Sequence, residues 1–309
     1  MAKRILRWTA ALLLLAIAAL ALWLYAPDQP RAALEAAYPG EYRTVAGLRA
    51  RFMDTGPKDA PALILLHGFG ASLDTWEPWA KVLSARYRVI RLDLPGFGLT
   101  GPDPTGDYSD ARTLAVIASL MDQLGVQNAG FIGNSLGGRF AWEFAVRYPA
   151  RVTRLVLISP DGFASPGFEY GKAPEVPLML EAMPWVGPRS LIRANLAPAY
   201  ANEKALTEQA LDRYRDMLLA PGVRRAILDR TRQTVLTDPS ERLKSIAAPT
   251  LLLWGEKDAM IPVSNAADYQ RLMPNATLVR LPRLGHVPFE EDPVRALVPV
   301  EKFLANETP

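Results

Sequence analysis

Ala129-Gly-Phe-Ile-Gly-Asn-Ser-Leu-Gly-Gly-Arg-Phe-Ala141 is the most informative stretch of the chain. A short apolar run, Ala129 to Ile132, ends in Gly133-Asn134-Ser135-Leu136-Gly137, and a helical pattern from Leu136 to about Arg147 follows at once. A strand turning directly into a helix strains the backbone of its turn residue. Glycines two positions either side of Ser135 remove the side chains that would collide there. The turn lifts the serine Oγ off the sheet edge and sets the Leu136 N–H at a helix N-terminus, where an anionic oxygen is stabilised. The spacing is that of a G-x-S-x-G nucleophile elbow, which needs partners to be distinguished from a Gly-Ser loop.

Two partners follow. Thr250-Leu-Leu-Leu-Trp-Gly255 reads as a buried strand leading to Glu256, Lys257 and Asp258 in a loop. Ala276-Thr-Leu-Val-Arg-Leu281 reads as the next strand, followed by Gly285-His286. Ser135, Asp258 and His286 thus each stand just past a strand, where sites in parallel sheets sit. Serine needs a neutral imidazole to take its proton, and the imidazole needs a carboxylate to fix its tautomer. The chain has only two histidines, His67 and His286. His67 lies in Leu63-Ile-Leu-Leu-His-Gly-Phe-Gly70 and reads as a brace for that glycine loop. Asp161, in Pro160-Asp-Gly after the strand Arg154 to Ser159, competes for the acid role. Asp258 is preferred because its loop directly precedes the histidine-bearing unit. Asp93 in Asp-Leu-Pro-Gly reads as turn chemistry, and Glu290 and Glu291 as first-turn acids that suit a helix dipole.

The motifs His67-Gly68-Phe69-Gly70, Asp93-Leu-Pro-Gly-Phe-Gly98, Gly133-Asn-Ser-Leu-Gly137, Gly255-Glu-Lys-Asp258 and Gly285-His286 together resemble the α/β-hydrolase superfamily, from roughly Arg43 to the C-terminus. The resemblance implies an α/β fold with a mostly parallel sheet flanked by helices. It implies Ser135 as nucleophile, His286 as base then acid, Asp258 as orienter, and an oxyanion hole from the backbone N–H groups of Phe69 and Leu136.

The N-terminus carries the second strong signal. Lys3, Arg4 and Arg7 precede Trp8 to Ala26, nineteen residues without a charge. At ~1.5 Å per residue such a helix matches the ~30 Å hydrocarbon core, with Trp8, Trp23 and Tyr25 near its ends. An uncleaved anchor is expected over a secretory signal, because a cut near Ala19-Leu20-Ala21 falls inside the apolar run and one after Ala26 meets Pro27. The basic cluster before the span places the N-terminus in the cytoplasm and the hydrolase domain outside it. Secretion after cleavage is the alternative.

Net charge is +3 with both signs interspersed, which gives no nucleic-acid signature. Two isolated histidines and no cysteine leave no metal-ligand cluster, and no phosphate-binding or dinucleotide fingerprint is present, so no cofactor is expected. The expected layout is an anchor over 1–26, a juxtamembrane spacer over 27–42, a hydrolase core over 43–160 and 247–309, and a helical cap over 161–246. Helices are expected at Leu191 to Ala197, Glu203 to Leu219 and Val223 to Val235. The cap's Pro177-Leu-Met-Leu-Glu-Ala-Met-Pro-Trp-Val-Gly-Pro188 suits core packing or a lipid-facing or acyl-lining surface. The layout is similar to membrane-anchored monoacylglycerol lipases, implying a serine hydrolase of apolar carboxylic esters that works through an acyl-enzyme. The alternatives are a carbon–carbon bond hydrolase of ring-cleavage products and a non-catalytic binding protein on the same fold. The elbow Gly-Asn-Ser-x-Gly-Gly is similar to that of the carbon–carbon hydrolases; Val287-Pro288 after His286, in place of their tryptophan, is not.

Overall fold

A computed structural model describes residues 1–164 and 169–307, so residues 165–168 of the expected cap lie outside the described residues. The strands are β1 (Glu41–Val45), β2 (Leu48–Thr55), β3 (Ala62–Leu66), β4 (Arg88–Leu92), β5 (Ala129–Asn134), β6 (Val152–Ile158), β7 (Thr250–Gly255) and β8 (Ala276–Leu281). They form one sheet in the order β1-β2-β4-β3-β5-β6-β7-β8. β2 is antiparallel to both β1 and β4, and all other pairings are parallel. β5 and β7 are buried along their whole length. Such strands read as continuous apolar runs because helices cover both faces of a parallel sheet. β1 is mostly exposed and polar, and the sequence carries no signal for it.

The helices are α1 (Ala2–Leu24), α2 (Arg31–Ala37), α3 (Glu77–Leu83), α4 (Asp110–Gln123), α5 (Leu136–Arg147), α6 (Arg189–Leu196), α7 (Glu208–Leu218), α8 (Val223–Gln233), α9 (Ser240–Lys244), α10 (Ser264–Leu272), α11 (Pro288–Glu291) and α12 (Pro293–Leu304). α4, α5 and α10 pack residues such as Ile117, Phe140 and Tyr269 on one face of the sheet. α3 and α12 pack Trp79, Leu83, Leu297 and Val300 on the other. Each large side chain so buried contributes about 1.5–3 kcal/mol. The Ser109 hydroxyl accepts the Arg112 N–H and caps α4. α6 to α9 fall between β6 and β7. Thr207 caps α7 through the Ala210 N–H, so the helix begins later than its apolar pattern alone suggests.

Asp93 does more than shape a turn. It is fully buried, and it accepts the backbone N–H groups of Leu73 (2.7 Å) and Leu99 (2.8 Å). Arg51 of β2, also fully buried, donates to Asp93 (3.2 Å) and in a fork to both oxygens of Asp74 (2.8 and 2.9 Å). Burial alone would lower the guanidinium pKa, but the two carboxylates outweigh it and hold it above its ordinary value.

Residues 27–42, expected as a spacer, form a packed strap. Arg224 of α8 donates to the Ala26 carbonyl (2.7 Å) and to Asp28 (2.6 Å). Asp28 also accepts the Gly222 N–H (3.0 Å). Gln29 and Tyr38 both donate to Asp216 (2.7 and 2.8 Å), and Leu34 of α2 is buried in the core. Prolines signal a linker locally, but partners nearly two hundred positions away immobilise it.

Arg51→Met would leave Asp93 buried without its cation, and a loss of about 3–5 kcal/mol is expected in chemical denaturation. A second prediction concerns Glu143 of α5. Burial, together with the charge of Asp110, pushes its carboxyl from an ordinary 4.5 up to about 7, despite Arg139 and Arg242. The folded state therefore binds this proton more tightly than the unfolded chain, and stability falls as pH rises through that window. The stability difference between wild type and Glu143→Gln should shift in favour of the variant as pH is raised from 4.5 to 8.

Candidate active site

The elbow forms where the sequence places it. Ser135 sits at φ 52°, ψ −120° between β5 and α5, a strained conformation for a residue with a side chain. Its N–H donates to the Ile158 carbonyl (3.0 Å), and its own carbonyl accepts the Asp161 N–H (3.0 Å). The flanking glycines are required by close approach. A Cβ at Gly133 would lie 2.3 Å from the Gly137 carbonyl oxygen, and one at Gly137 2.2 Å from that of Leu66. Among the described residues, neither the Phe69 nor the Leu136 backbone N–H finds a protein acceptor.

Asp258 and His286 are brought together across 28 positions. The His286 Nδ1–H donates to Asp258 Oδ2 at 2.7 Å, with both side chains almost wholly buried. The other carboxylate oxygen accepts the N–H groups of Met260 (2.8 Å) and Ile261 (2.9 Å). Burial pushes the Asp258 carboxyl up, but the His286 hydrogen bond and charge and the Ile261 N–H outweigh it. The pKa stays below the usual carboxylate value, so the group is ionised across the neutral range. This leaves Nε2 as the free nitrogen of a neutral His286.

Asp161 is differently engaged. Its carboxylate lies 3.2 Å from Arg139, and its carbonyl accepts from Trp142 (3.0 Å) and Tyr269 (3.0 Å). His67 acts as a brace, as the sequence suggests. It is wholly buried, its Nδ1–H donates to the Gly68 carbonyl (2.8 Å), and its Nε2 accepts the Leu94 N–H (3.0 Å). Burial holds its pKa below the ordinary histidine value, and it stays neutral.

Three positioning groups escaped the sequence reading of the site. Asn134, the variable residue of the elbow, donates through its amide to the backbone carbonyls of Ile158 (3.1 Å) and His286 (3.0 Å). Glu291 does not merely suit a helix dipole. It accepts the N–H groups of Gly285 (2.8 Å), Ala201 (3.1 Å) and Asn202 (2.9 Å), tying the histidine loop to the cap. Glu290 is buried against Arg213 of α7 (2.7 Å) and Tyr200 (2.5 Å). The Ala199 carbonyl accepts the His286 N–H directly (2.8 Å). A buried asparagine beside the serine was the one available signal. A groove of about 1170 Å³ runs behind the Asp258 loop, lined by Tyr200, Asn202, Lys257, Arg283, Glu291 and Arg295, and Ser135 is not part of its wall.

Residues 61–293 match the family model described as the alpha/beta hydrolase fold. The chain belongs to this family and is a hydrolase. It is 31% identical over 250 residues to a 2-hydroxy-6-oxononadienedioate/2-hydroxy-6-oxononatrienedioate hydrolase of Burkholderia vietnamiensis, covering 77% of this chain and 85% of that one. Among solved structures it is similar to a membrane phospholipase A described as a bacterial virulence factor, with a TM-score of 0.74, 28% identity and 98% of both chains covered. A putative lipase of Acinetobacter baumannii aligns with a TM-score of 0.75 and 25% identity, covering 91% of this chain and 97% of that one.

Asp258→Asn should lower kcat/KM on a short chromogenic ester by a factor on the order of 10³ or more, because the imidazole loses its tautomer. Asp161→Asn should cost less than about tenfold, since its carboxylate meets Arg139. The reverse ranking, measured on both purified variants, would move the acid to position 161.

Proposed function

We propose that this protein is a membrane-anchored serine hydrolase of carboxylic esters, with apolar acyl esters such as monoacylglycerols as its substrate class. The observation that supports the reading is the buried His286–Asp258 pair, whose histidine backbone accepts from Asn134, the residue next to the strained Ser135. Ser135 Oγ attacks the ester carbonyl while His286 Nε2 takes its proton. The oxyanion that forms is held by the N–H groups of Leu136 and Phe69, and loss of one such donor costs on the order of 10²–10³ in rate. The tetrahedral adduct collapses as the imidazolium returns the proton to the departing alcohol, leaving an acyl-serine. Water, deprotonated by the same imidazole, then releases the acid and restores Ser135. Ionised Asp258 steadies the imidazolium in both halves.

Membrane attachment rests on residues 8–26. Arg4–Leu24 has a mean hydropathy of 2.2, and none of it is buried in the protein. The overlap with the membrane phospholipase A leaves 2% of 309 residues, about six, unmatched, too few to exclude α1. The basic cluster at Lys3, Arg4 and Arg7 sets the N-terminus in the cytoplasm and the hydrolase domain on the other side.

A second reading, carbon–carbon bond hydrolysis, is favoured by Gly133-Asn-Ser-Leu-Gly-Gly138 and by the Burkholderia relative. A screen of graded acyl esters against ring-cleavage diketones separates the two. Ester preference supports the proposal, and exclusive diketone turnover overturns it.

Ser135→Ala should abolish fluorophosphonate labelling and lower ester turnover by several orders of magnitude with the fold unchanged. Retention of more than about a tenth of the activity would remove Ser135 from the chemistry. Full-length protein should fractionate with membranes and withstand high-salt washing, since apolar insertion is not screened by ions. Removal of residues 1–23 keeps the Leu24 carbonyl, Tyr25 and Ala26, which bond to the cap. It should release an enzyme that is unimpaired on short soluble esters and weakened on bilayer-embedded ones. Equal loss on both substrates would mean that the segment supports the fold.

A further inference from the structure

The cap presents an apolar edge that nothing among the described residues covers. Leu178–Trp185 forms a 3₁₀ helix with no buried residue. Leu178 is 87% exposed, Met179 81%, Trp185 58% and Leu180 43%. Single exposed hydrophobics are ordinary on a protein surface, but four large ones within eight residues mark a contact surface. The one acid in the stretch, Glu181, is met by Arg232 and flanked by Arg225 at 3.9 Å, so the edge carries no unpaired negative charge.

This edge is joined to the end of α1 by backbone bonds. The Gly187 N–H donates to the Leu24 carbonyl (3.2 Å), the Ala26 N–H donates to the Trp185 carbonyl (2.8 Å), and Tyr25 pairs with Val186 as an isolated antiparallel bridge. Arg224 fixes the junction by donating to the Ala26 and Val186 carbonyls and to Asp28. The point at which α1 leaves the hydrocarbon is therefore within one hydrogen bond of Trp185. Whatever membrane α1 crosses begins where the apolar edge lies.

We propose that Leu178, Met179, Leu180 and Trp185 insert into the interfacial layer of the bilayer that α1 spans, making the cap edge a second membrane contact. This rests on the anchor reading of α1. The occupant is lipid, because the end of α1 is hydrogen-bonded to the edge and brings the bilayer to it. On the far side of α8, Arg230 donates to the Pro95 carbonyl (2.9 Å), and Phe97 of that loop meets the Phe69 ring edge-on at 5.4 Å. α8 therefore connects the cap edge, through Arg232 and Arg230, to the loop that carries Phe97.

Of the seven tryptophans, Trp76, Trp79, Trp142 and Trp254 are at most 1% exposed, so Trp8→Phe with Trp23→Phe leaves Trp185 as the exposed one. The full-length double variant is reconstituted into phosphatidylcholine vesicles whose acyl chains are brominated near the headgroup, with plain vesicles as reference. The Trp185 contribution, obtained by subtracting the triple variant that adds Trp185→Phe, should fall by about half or more in brominated lipid. An unchanged contribution in protein that floats with the vesicles overturns the cap contact and leaves the anchor reading standing. Protein that fails to float overturns both. If the tryptophan variants misfold, the cysteine-free chain allows Met179→Cys labelled with an environment-sensitive nitrobenzoxadiazole dye. Blue-shifted emission protected from dithionite supports insertion, and water-like emission bleached at once overturns it.

Discussion

One close backbone approach at the elbow is what the geometry of the site depends on. β5 turns into α5 so tightly that a Cβ at position 137 would meet the Leu66 carbonyl oxygen at 2.2 Å. Glycine at 137 lets the first turn of α5 settle against the end of β3, and that packing helps to hold Ser135 at a positive φ. Strain of this kind, on the order of 1–3 kcal/mol, persists where surrounding structure over-determines it. Here the Ile158 carbonyl and the Asp161 N–H grip both sides of the serine. Asn134 extends the same constraint to the third strand end, because its amide reaches the His286 backbone.

The histidine loop is held by groups from two layers. From the core, Asn134 takes the His286 carbonyl, and Asp258 takes the Nδ1–H. From the cap, the Ala199 carbonyl takes the His286 N–H, while Glu291 gathers N–H groups of Gly285, Ala201 and Asn202 onto one carboxylate. Residues 199–202 are thus part of the support of the imidazole.

A comparable economy ties the N-terminal segment to the cap. Arg224, nearly wholly buried, serves two carbonyls and Asp28 at once. Charge-assisted bonds of this sort hold an irregular strap that has little apolar area of its own. Residues 27–42 are therefore packed onto the domain instead of forming a free tether.

What the sequence determined by itself is whatever short spacing encodes. The elbow, the parallel strands β5 to β8 and the order Ser135, Asp258, His286 are all visible as patterns within a few residues, because burial on both faces and tight turns restrict residue type locally. In the fold the His286 Nδ1–H donates to Asp258. Tertiary structure alone decided the rest. Asp93 reads as a turn residue until Arg51 is found beside it, and Glu291 as a helix-dipole acid until the cap backbone closes on it. Residues 27–42 read as a spacer because their partners, Asp216 and Arg224, lie some 180 to 200 positions away. Asn134 and His286 are separated by 152 positions. A hydrogen bond across such a distance leaves no periodicity and no composition bias in the chain. It exists only once packing has brought its two ends within 3 Å.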